Sequence, residues 1–201
     1  MSTNKKLVIA VVALATALCC MVGGTLAWLI STPAAVTNTF TVGDIVITLD
    51  EAKVTEYGVK DGDSRVTENS YKLVPGEEYL KDPIVHVGTN TNEKCYIFVK
   101  VVNNITGIED ATTIATQIAN NGWTALEGVD GVYYQVFDPN VDNVDRELEV
   151  FQSFTIKQSV NKTELANYNG KVVTVTAYAI QFLGMEDANA AWTTVSTATN
   201  G

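Results

Sequence analysis

Side chains that could support hydrolytic chemistry are few in this chain. A zinc hydrolase needs about three protein ligands and a polarised water, but the sequence has a single histidine, His86, and no His-Glu-x-x-His motif. Cys95 stands in an alternating β pattern, where a buried and unreactive thiol is expected. These two residues leave little room for a nucleophilic triad. We therefore expect no catalytic residue and no cofactor, and we interpret His86 as a strand residue.

One acidic segment has the spacing of a calcium-binding loop. Asp138, Asn140, Asp142 and Glu149 stand at the first, third, fifth and twelfth positions of an EF-hand-like loop, and their hard oxygen atoms suit calcium. The sixth position is Asn143 rather than glycine, and the flanking residues predict strands rather than helices. A solvated acidic loop between two strands is the simpler interpretation, and calcium binding is the alternative.

Aromatic residues offer a third kind of site. Trp123 accompanies Tyr133 and Tyr134, and Trp28 stands apart near the N-terminus. Rings of this kind stack on sugars when they face solvent, so a carbohydrate-binding surface module is an alternative function. β-Sandwich domains also bury such rings, and the spacing does not separate the two cases.

The N-terminus predicts export. Lys5 and Lys6 precede an apolar run from Leu7 to Met21, and small residues follow it up to Ala27. This order is typical of a secretory signal peptide, residues 1–27, with cleavage between Ala27 and Trp28. A retained membrane anchor is the competing interpretation, since no charge follows until Asp44.

Composition narrows the possible partners of the exported chain. The formal net charge is −10, so the chain repels nucleic acid and anionic membrane surfaces. We expect no nucleic-acid partner and contact with a membrane only through an uncleaved signal. The remaining residues suffice for one domain, 41–201, which follows an extended segment, 28–40.

Period-two patterns predict most of the chain as strands. The pattern begins at Ile45, Ile47 and Leu49, and the run 58–70 is interpreted as a polar loop. In the run 95–102 both faces are apolar, which predicts a central strand. Further strands are predicted over 79–87, 132–137, 148–156 and 172–182.

Two short helices are expected among these strands. The first is an apolar stripe of Ile108, Ala111, Ala115 and Ile118 that Gly122 would end, and the second covers residues 186–192. Residues 193–201 are expected to be frayed. Together the elements predict a mainly β fold, a jelly-roll-like β-sandwich with one or two short helical inserts, preceded by a signal peptide.

Several motifs carry a resemblance to a known family. They are Gly23-Gly24-Thr25-Leu26-Ala27-Trp28, Asn38-Thr39-Phe40-Thr41-Val42-Gly43-Asp44-Ile45, Leu73-Val74-Pro75-Gly76-Glu77, Lys81-Asp82-Pro83 and Cys95-Tyr96-Ile97-Phe98-Val99-Lys100-Val101. With them the chain resembles the TasA/camelysin family, secreted Gram-positive proteins whose signal is read by a dedicated peptidase, SipW. The signal junction is the most specific part of the resemblance.

The resemblance implies a function in the extracellular matrix. It implies a jelly-roll subunit of biofilm fibres, whose partners are further copies of itself, a SipW-type signal peptidase and other matrix or cell-surface components. Polymerisation would follow when the freed N-terminal segment completes the sheet of a neighbour. Camelysin also brings a metallopeptidase annotation, an alternative that the residues of this chain do not support.

Segment 28–40 has the character that such a donor strand needs. It is uncharged and extended, and Trp28, Ile30, Val36 and Phe40 are its possible anchors. Pro33 removes one backbone donor and restricts the segment to a sheet edge or a bulge. The alternative is that this segment is a leader or an ordinary edge strand of its own domain.

Overall fold

The structure is a computed structural model that describes residues 30–31, 45–141 and 143–198. The predicted signal peptide, the Ala27–Trp28 junction, Val36, Phe40 and Asp142 lie outside these residues. The strands are β1 (Ile30–Ser31), β2 (Ile47–Val54), β3 (Lys60–Val66), β4 (Glu78–Leu80), β5 (Ile84–Val87), β6 (Cys95–Asn103), β7 (Thr124–Ala125), β8 (Val132–Phe137), β9 (Glu147–Glu149), β10 (Ser153–Thr155) and β11 (Val173–Gln181). The helices are α1 (Ile114–Asn120), α2 (Lys162–Ala166) and α3 (Ala188–Ala198).

Antiparallel pairing organises the described strands into three sheets. The largest sheet has five strands in the order β1-β11-β6-β8-β7, and a second sheet has four in the order β3-β2-β5-β9. A short pair, β10-β4, completes the set. The predicted mainly β fold is confirmed, and the described residues contain three short helices where one or two were expected.

The central position predicted for residues 95–102 is confirmed. β6 pairs with β11 along its whole length and with β8 on its other side. Ile97 and Val99 point into a core that the two large sheets share, and Tyr96 and Phe98 point into a second core on the outer face of the five-stranded sheet. A strand that is buried on both faces needs apolar residues at both odd and even positions, which explains the sequence of β6.

The shared core draws on both large sheets. The four-stranded sheet contributes Ile47, Val85 and Val87, and β11 contributes Val175 and Ala177. The buried residues of this core are at most 8% exposed. Burial of this apolar surface is the main stabilising term of the fold, at about 25 cal/mol per Å².

The first predicted helix is shorter than its apolar stripe. α1 begins at Ile114, because Thr113 adopts an extended conformation and its side chain caps the Thr116 amide. Ile108 is buried, but it lies in the preceding loop, and Ala111 is exposed. The predicted stop is confirmed, since Gly122 follows the helix with φ +81°.

Other parts of the sequence-based assignment are also corrected. Residues 60–66 form β3 rather than part of a loop: the strand pairs with β2 and is almost wholly exposed, so no apolar alternation marks it. The predicted strand 148–156 is two strands, β9 and β10, that belong to different sheets. Helix α2 lies in a region where no helix was predicted.

The last helix covers the outer face of the five-stranded sheet. α3 begins after Asp187, whose carboxylate accepts a hydrogen bond from the Ala190 amide, and it continues to Ala198 rather than fraying after Trp192. Its apolar side packs Ala191, Trp192 and Val195 onto the sheet. Within the described residues, no helix is long and apolar enough to cross a membrane.

Candidate functional site

At the outer edge of the five-stranded sheet, the structure describes two residues of a strand, β1. β1 pairs antiparallel with β11, with Ile30 opposite Ile180 and Ser31 opposite Ala179. Among the described residues, the rest of β11, from Val173 to Tyr178, has a partner strand only on its β6 side. Considering the described residues alone, the backbone groups on this side of residues 173–178 have no partner strand.

Two kinds of surface flank this edge. Val175, Ala177 and Ala179 point toward the core that the two sheets share, whereas Tyr178 and Ile180 belong to the core beneath α3. A strand that is added to the edge would therefore place alternate side chains on these two surfaces.

Helix α3 covers only one end of the outer surface. The ring of Trp192 lies edge-on to Tyr178, with 5.2 Å between centroids, and 5.5 Å from Phe98. Further along the same face, Val102 and Val172 are 42% and 53% exposed. The exposed valines continue the apolar face beyond the helix, next to the start of β11.

A polar cluster joins the four-stranded sheet to its neighbouring loops. Arg65 forms ion pairs with Asp50 and Asp82, the latter at 3.2 Å, and Asp82 Oδ1 accepts a hydrogen bond from the Ala52 amide at 2.6 Å. His86 Nε2 lies 2.9 Å from Asp50 Oδ1, and its Nδ1 lies 3.8 Å from Glu147 Oε1. His86 is a strand residue, as predicted.

A second polar group is buried beside this cluster. The Lys81 ammonium donates to Glu51 Oε2 at 2.5 Å, and the Asn69 side-chain amide donates to Glu51 Oε1 at 2.8 Å. Lys81 and Glu51 are only 9% and 4% exposed. Lys81 belongs to the motif Lys81-Asp82-Pro83, but Glu51 and Asn69 could not be predicted as its partners, because nothing in their spacing reveals that the three meet.

The described residues of the candidate calcium loop, Asp138, Asn140 and Glu149, have partners within the protein. Asp138 Oδ2 lies 3.2 Å from the Lys94 ammonium, and its Oδ1 accepts a hydrogen bond from the Asn140 amide at 3.0 Å. The Asn140 amide, followed by Lys94, lowers the pKa of the Asp138 carboxyl. Glu149 Oε1 accepts a hydrogen bond from Asn121 at 3.1 Å. Among the described residues, no three His, Cys, Asp or Glu side chains are grouped as metal ligands.

Most of the aromatic residues considered for sugar binding pack in or against the hydrophobic cores. Trp123 is 3% exposed, and its indole N–H donates to the Glu149 carbonyl at 2.8 Å. Tyr133 packs against the shared core, and Tyr134 packs against the outer core. Trp123 therefore offers no solvent-facing ring, whereas Tyr133 and Tyr134 are only partly buried. Trp28 lies outside the described residues.

Cys95 is buried at the start of β6. The thiol is fully inaccessible, and its burial raises its pKa to about 12. The predicted burial of Cys95 is confirmed, and because a neutral, inaccessible thiol is a poor nucleophile, we expect it to be unreactive.

Comparison of the chain with protein-family models, with curated proteins and with solved structures finds no match.

Proposed function

We propose that this protein is a secreted structural subunit of extracellular biofilm matrix fibres, resembling the TasA/camelysin family, and that it self-assembles by β-strand addition of its N-terminal segment. One observation carries the proposal. Residues of the segment that sequence analysis singled out, Ile30 and Ser31, pair with the outer edge of β11, and the described part of the chain leaves the remainder of that edge open.

An open sheet edge favours association with an extended peptide. Its unpaired N–H and C=O groups form main-chain hydrogen bonds with an added strand, and alternate side chains of that strand provide specificity. In an isolated chain the segment reaches its own β11. In a fibre the same edge would accept the N-terminal segment of a neighbouring subunit. The pairing of β1 with β11 within one chain would then be replaced by an equivalent pairing between two chains.

The observed register indicates where a longer donor strand would lie. Extension of the Ile30–Ile180 pairing places residues 32–37 opposite residues 178–173. Val36 would then stand opposite Thr174 and diagonal to the exposed Val172. The donor would cover an apolar surface that α3 leaves open.

The proposed anchors share one parity. Trp28, Ile30, Val36 and Phe40 are all even-numbered, so in a regular strand they lie on one face. Ile180, the partner of Ile30, faces the core beneath α3. The intervening odd positions include the small residues Pro33 and Ala35, which suit the narrow side between the two sheets.

Export and processing complete the proposal. A SipW-type signal peptidase would cleave the signal, residues 1–27, before Trp28 and release the donor segment outside the cell. The domain would then adopt a jelly-roll-like arrangement in the matrix or at the cell surface, with other copies of itself and other matrix components as partners.

Electron microscopy of purified protein that begins at Trp28 tests the proposal. At high concentration this protein should form fibres, whereas a variant that lacks residues 28–40 should remain a folded monomer. When a small amount of the deletion variant is added to the full-length mature protein, it should shorten the fibres, because it accepts a donor strand without offering one.

Fibres of normal length from the deletion variant would overturn strand addition. A mature protein that stays monomeric at every concentration, with casein cleavage or with retention on polysaccharide gels, would instead support the peptidase or the carbohydrate-binding alternative.

A further inference from the structure

Two buried side chains, Glu51 and Lys81, meet the partly buried side chain of Asn69. Glu51 accepts hydrogen bonds from the Lys81 ammonium on Oε2 and from the Asn69 amide nitrogen on Oε1. One carboxylate therefore holds an amine nucleophile and a carboxamide side by side. We propose that Lys81 and Asn69 form an intramolecular isopeptide bond, with Glu51 as the residue that transfers the protons. This proposal is independent of fibre assembly, since an isolated monomer would contain the bond.

The first step is a proton transfer within the buried pair. An ammonium and a carboxylate that are both withdrawn from water pay a large desolvation cost. Transfer of a proton from Lys81 Nζ to Glu51 Oε2 leaves a neutral amine and a neutral carboxylic acid. The amine then has the free electron pair that a nucleophile needs.

The second step forms and breaks the bonds at Asn69. Lys81 Nζ attacks Asn69 Cγ, and the electron pair of the C=O bond moves to Oδ1. The Val54 amide donates a hydrogen bond to that oxygen at 3.0 Å, so a donor is already placed where negative charge develops. Glu51 delivers the proton that it holds to Nδ2 and then, as a carboxylate, accepts a proton from Nζ.

Collapse of this intermediate restores the C=O bond and breaks the Cγ–Nδ2 bond. The products are an Nζ–Cγ amide and ammonia, which leaves with the remaining proton as ammonium and returns Glu51 to its carboxylate form. No atom is oxidised or reduced, so the reaction needs no external reagent. The mass of the chain falls by about 17 Da, the mass of the lost ammonia.

The surroundings suit both the reaction and the departure of ammonia. Glu51, Asn69 and Lys81 line a cleft of about 840 Å³ that opens to solvent. Beside them the Tyr71 ring packs 5.3 Å from Phe154 and 6.0 Å from Tyr79. Burial and then the charge of Glu51 raise the pKa of Tyr71, as expected for a poorly hydrated wall. Such a wall strengthens the electrostatic interactions of the three reacting groups.

Tryptic peptide mapping tests the bond directly. Asn69 lies in the peptide 66–72, and Lys81 ends the peptide 73–81. An isopeptide bond blocks cleavage after Lys81, so the digest should contain 66–72 joined to 73–94, with a mass about 17 Da below the sum of the two. A digest of folded, purified protein in which 66–72 and 73–81 are recovered free would overturn the proposal.

Loss of ammonia also occurs when an Asn-Gly pair cyclises to a succinimide, and this chain contains Asn121-Gly122, Asn169-Gly170 and Asn200-Gly201. Hydroxylamine cleaves a succinimide but leaves an isopeptide bond intact. A mass deficit that survives hydroxylamine and maps to Asn69 and Lys81 supports the proposal. A deficit that maps only to an Asn-Gly pair overturns it.

Matched variants test the role of each group. Glu51→Gln keeps both reacting partners but removes the proton carrier, so the protein should have its full sequence mass. Lys81→Met should have the same effect, whereas Lys53→Met, which changes an exposed lysine paired with Asp61, should keep the deficit of about 17 Da. Persistence of the cross-linked peptide in Glu51→Gln would overturn the role of Glu51. The peptide map of the unaltered protein decides the existence of the bond even if a variant fails to fold.

Discussion

Ile30 lies directly opposite Ile180 across the outer edge of β11. This pairing joins the N-terminal segment to the last strand of the chain, at the only part of that edge where the described residues provide a partner. The edge is thus able to bind a strand, and the strand that binds it comes from the segment that export would release.

The donor side can be tested at two neighbouring positions. Val36→Asp should raise the concentration needed for fibre formation about tenfold or more, because burial of a valine is worth about 1.5–3 kcal/mol. Asn38→Asp adds the same charge at a position of the same parity that is already polar, and it should have a much smaller effect. Sedimentation of fibres over a concentration series measures both. Equal effects would contradict the proposed register.

The acceptor side has a matched pair of exposed valines. Val172 and Val136 are 53% and 44% exposed and lie on the outer face of the same sheet, but only Val172 adjoins the open edge of β11. Val172→Lys should weaken assembly severalfold, because it places a charge beside the donor strand. Val136→Lys should assemble normally. If both variants assemble as the unaltered protein does, the donor does not cover this end of the sheet.

The contact between α3 and the sheet should be important for stability. Trp192→Ala removes a buried ring that packs on Phe98 and Tyr178, and it should lower the free energy of unfolding by about 3–5 kcal/mol. Thr193→Ala, at the exposed next position, should change it by less than about 0.5 kcal/mol. Denaturant unfolding measures the difference. A small loss in Trp192→Ala would show that the helix contributes little to the fold.

Burial of Cys95 predicts a dependence on alkaline pH. Its thiol pKa is raised from 9.0 to about 12 in the folded protein, so above pH 9 the unfolded chain loses a proton that the folded chain retains. Stability should therefore fall as pH rises above 9. Cys95→Ala should show a smaller fall. Iodoacetamide at neutral pH should label Cys95 only after unfolding, and rapid labelling of the folded protein would contradict its burial.

The elements that could be predicted from the sequence are those whose burial imposes a pattern. β6 is apolar at both parities because both of its faces are covered, and β8 lies where the run 132–137 predicts it. β3 escaped prediction because most of its residues are exposed, and a strand held by backbone pairing with β2 and by the ion pairs of Arg65 needs no apolar alternation. Ile108 is apolar because it is buried in the shared core, although it lies in the loop before α1. The apolar stripe therefore extends further toward the N-terminus than the helix does.

The candidate sites also differ in whether they could be predicted from the sequence. The N-terminal segment could be singled out because its lack of charge and its extended character are local properties of the sequence. The group formed by Glu51, Asn69 and Lys81 could not, because β2, the loop after β3 and the residue after β4 meet only in the folded chain. Likewise, the acidic spacing at Asp138 suggested calcium, but it gave no sign that Lys94 lies beside that carboxylate.

An engineered disulfide that joins the positions of Ser31 and Ala179 tests strand addition most directly. These residues are register partners, and the native Cys95 is buried and does not compete. In mature protein that carries both Ser31→Cys and Ala179→Cys, oxidation during assembly should give covalent ladders on a non-reducing gel. A mixture of the two single variants should give linked dimers. If the double variant yields only an internally closed monomer and the mixture yields none, the N-terminal strand stays within its own subunit and the proposed mode of assembly is wrong.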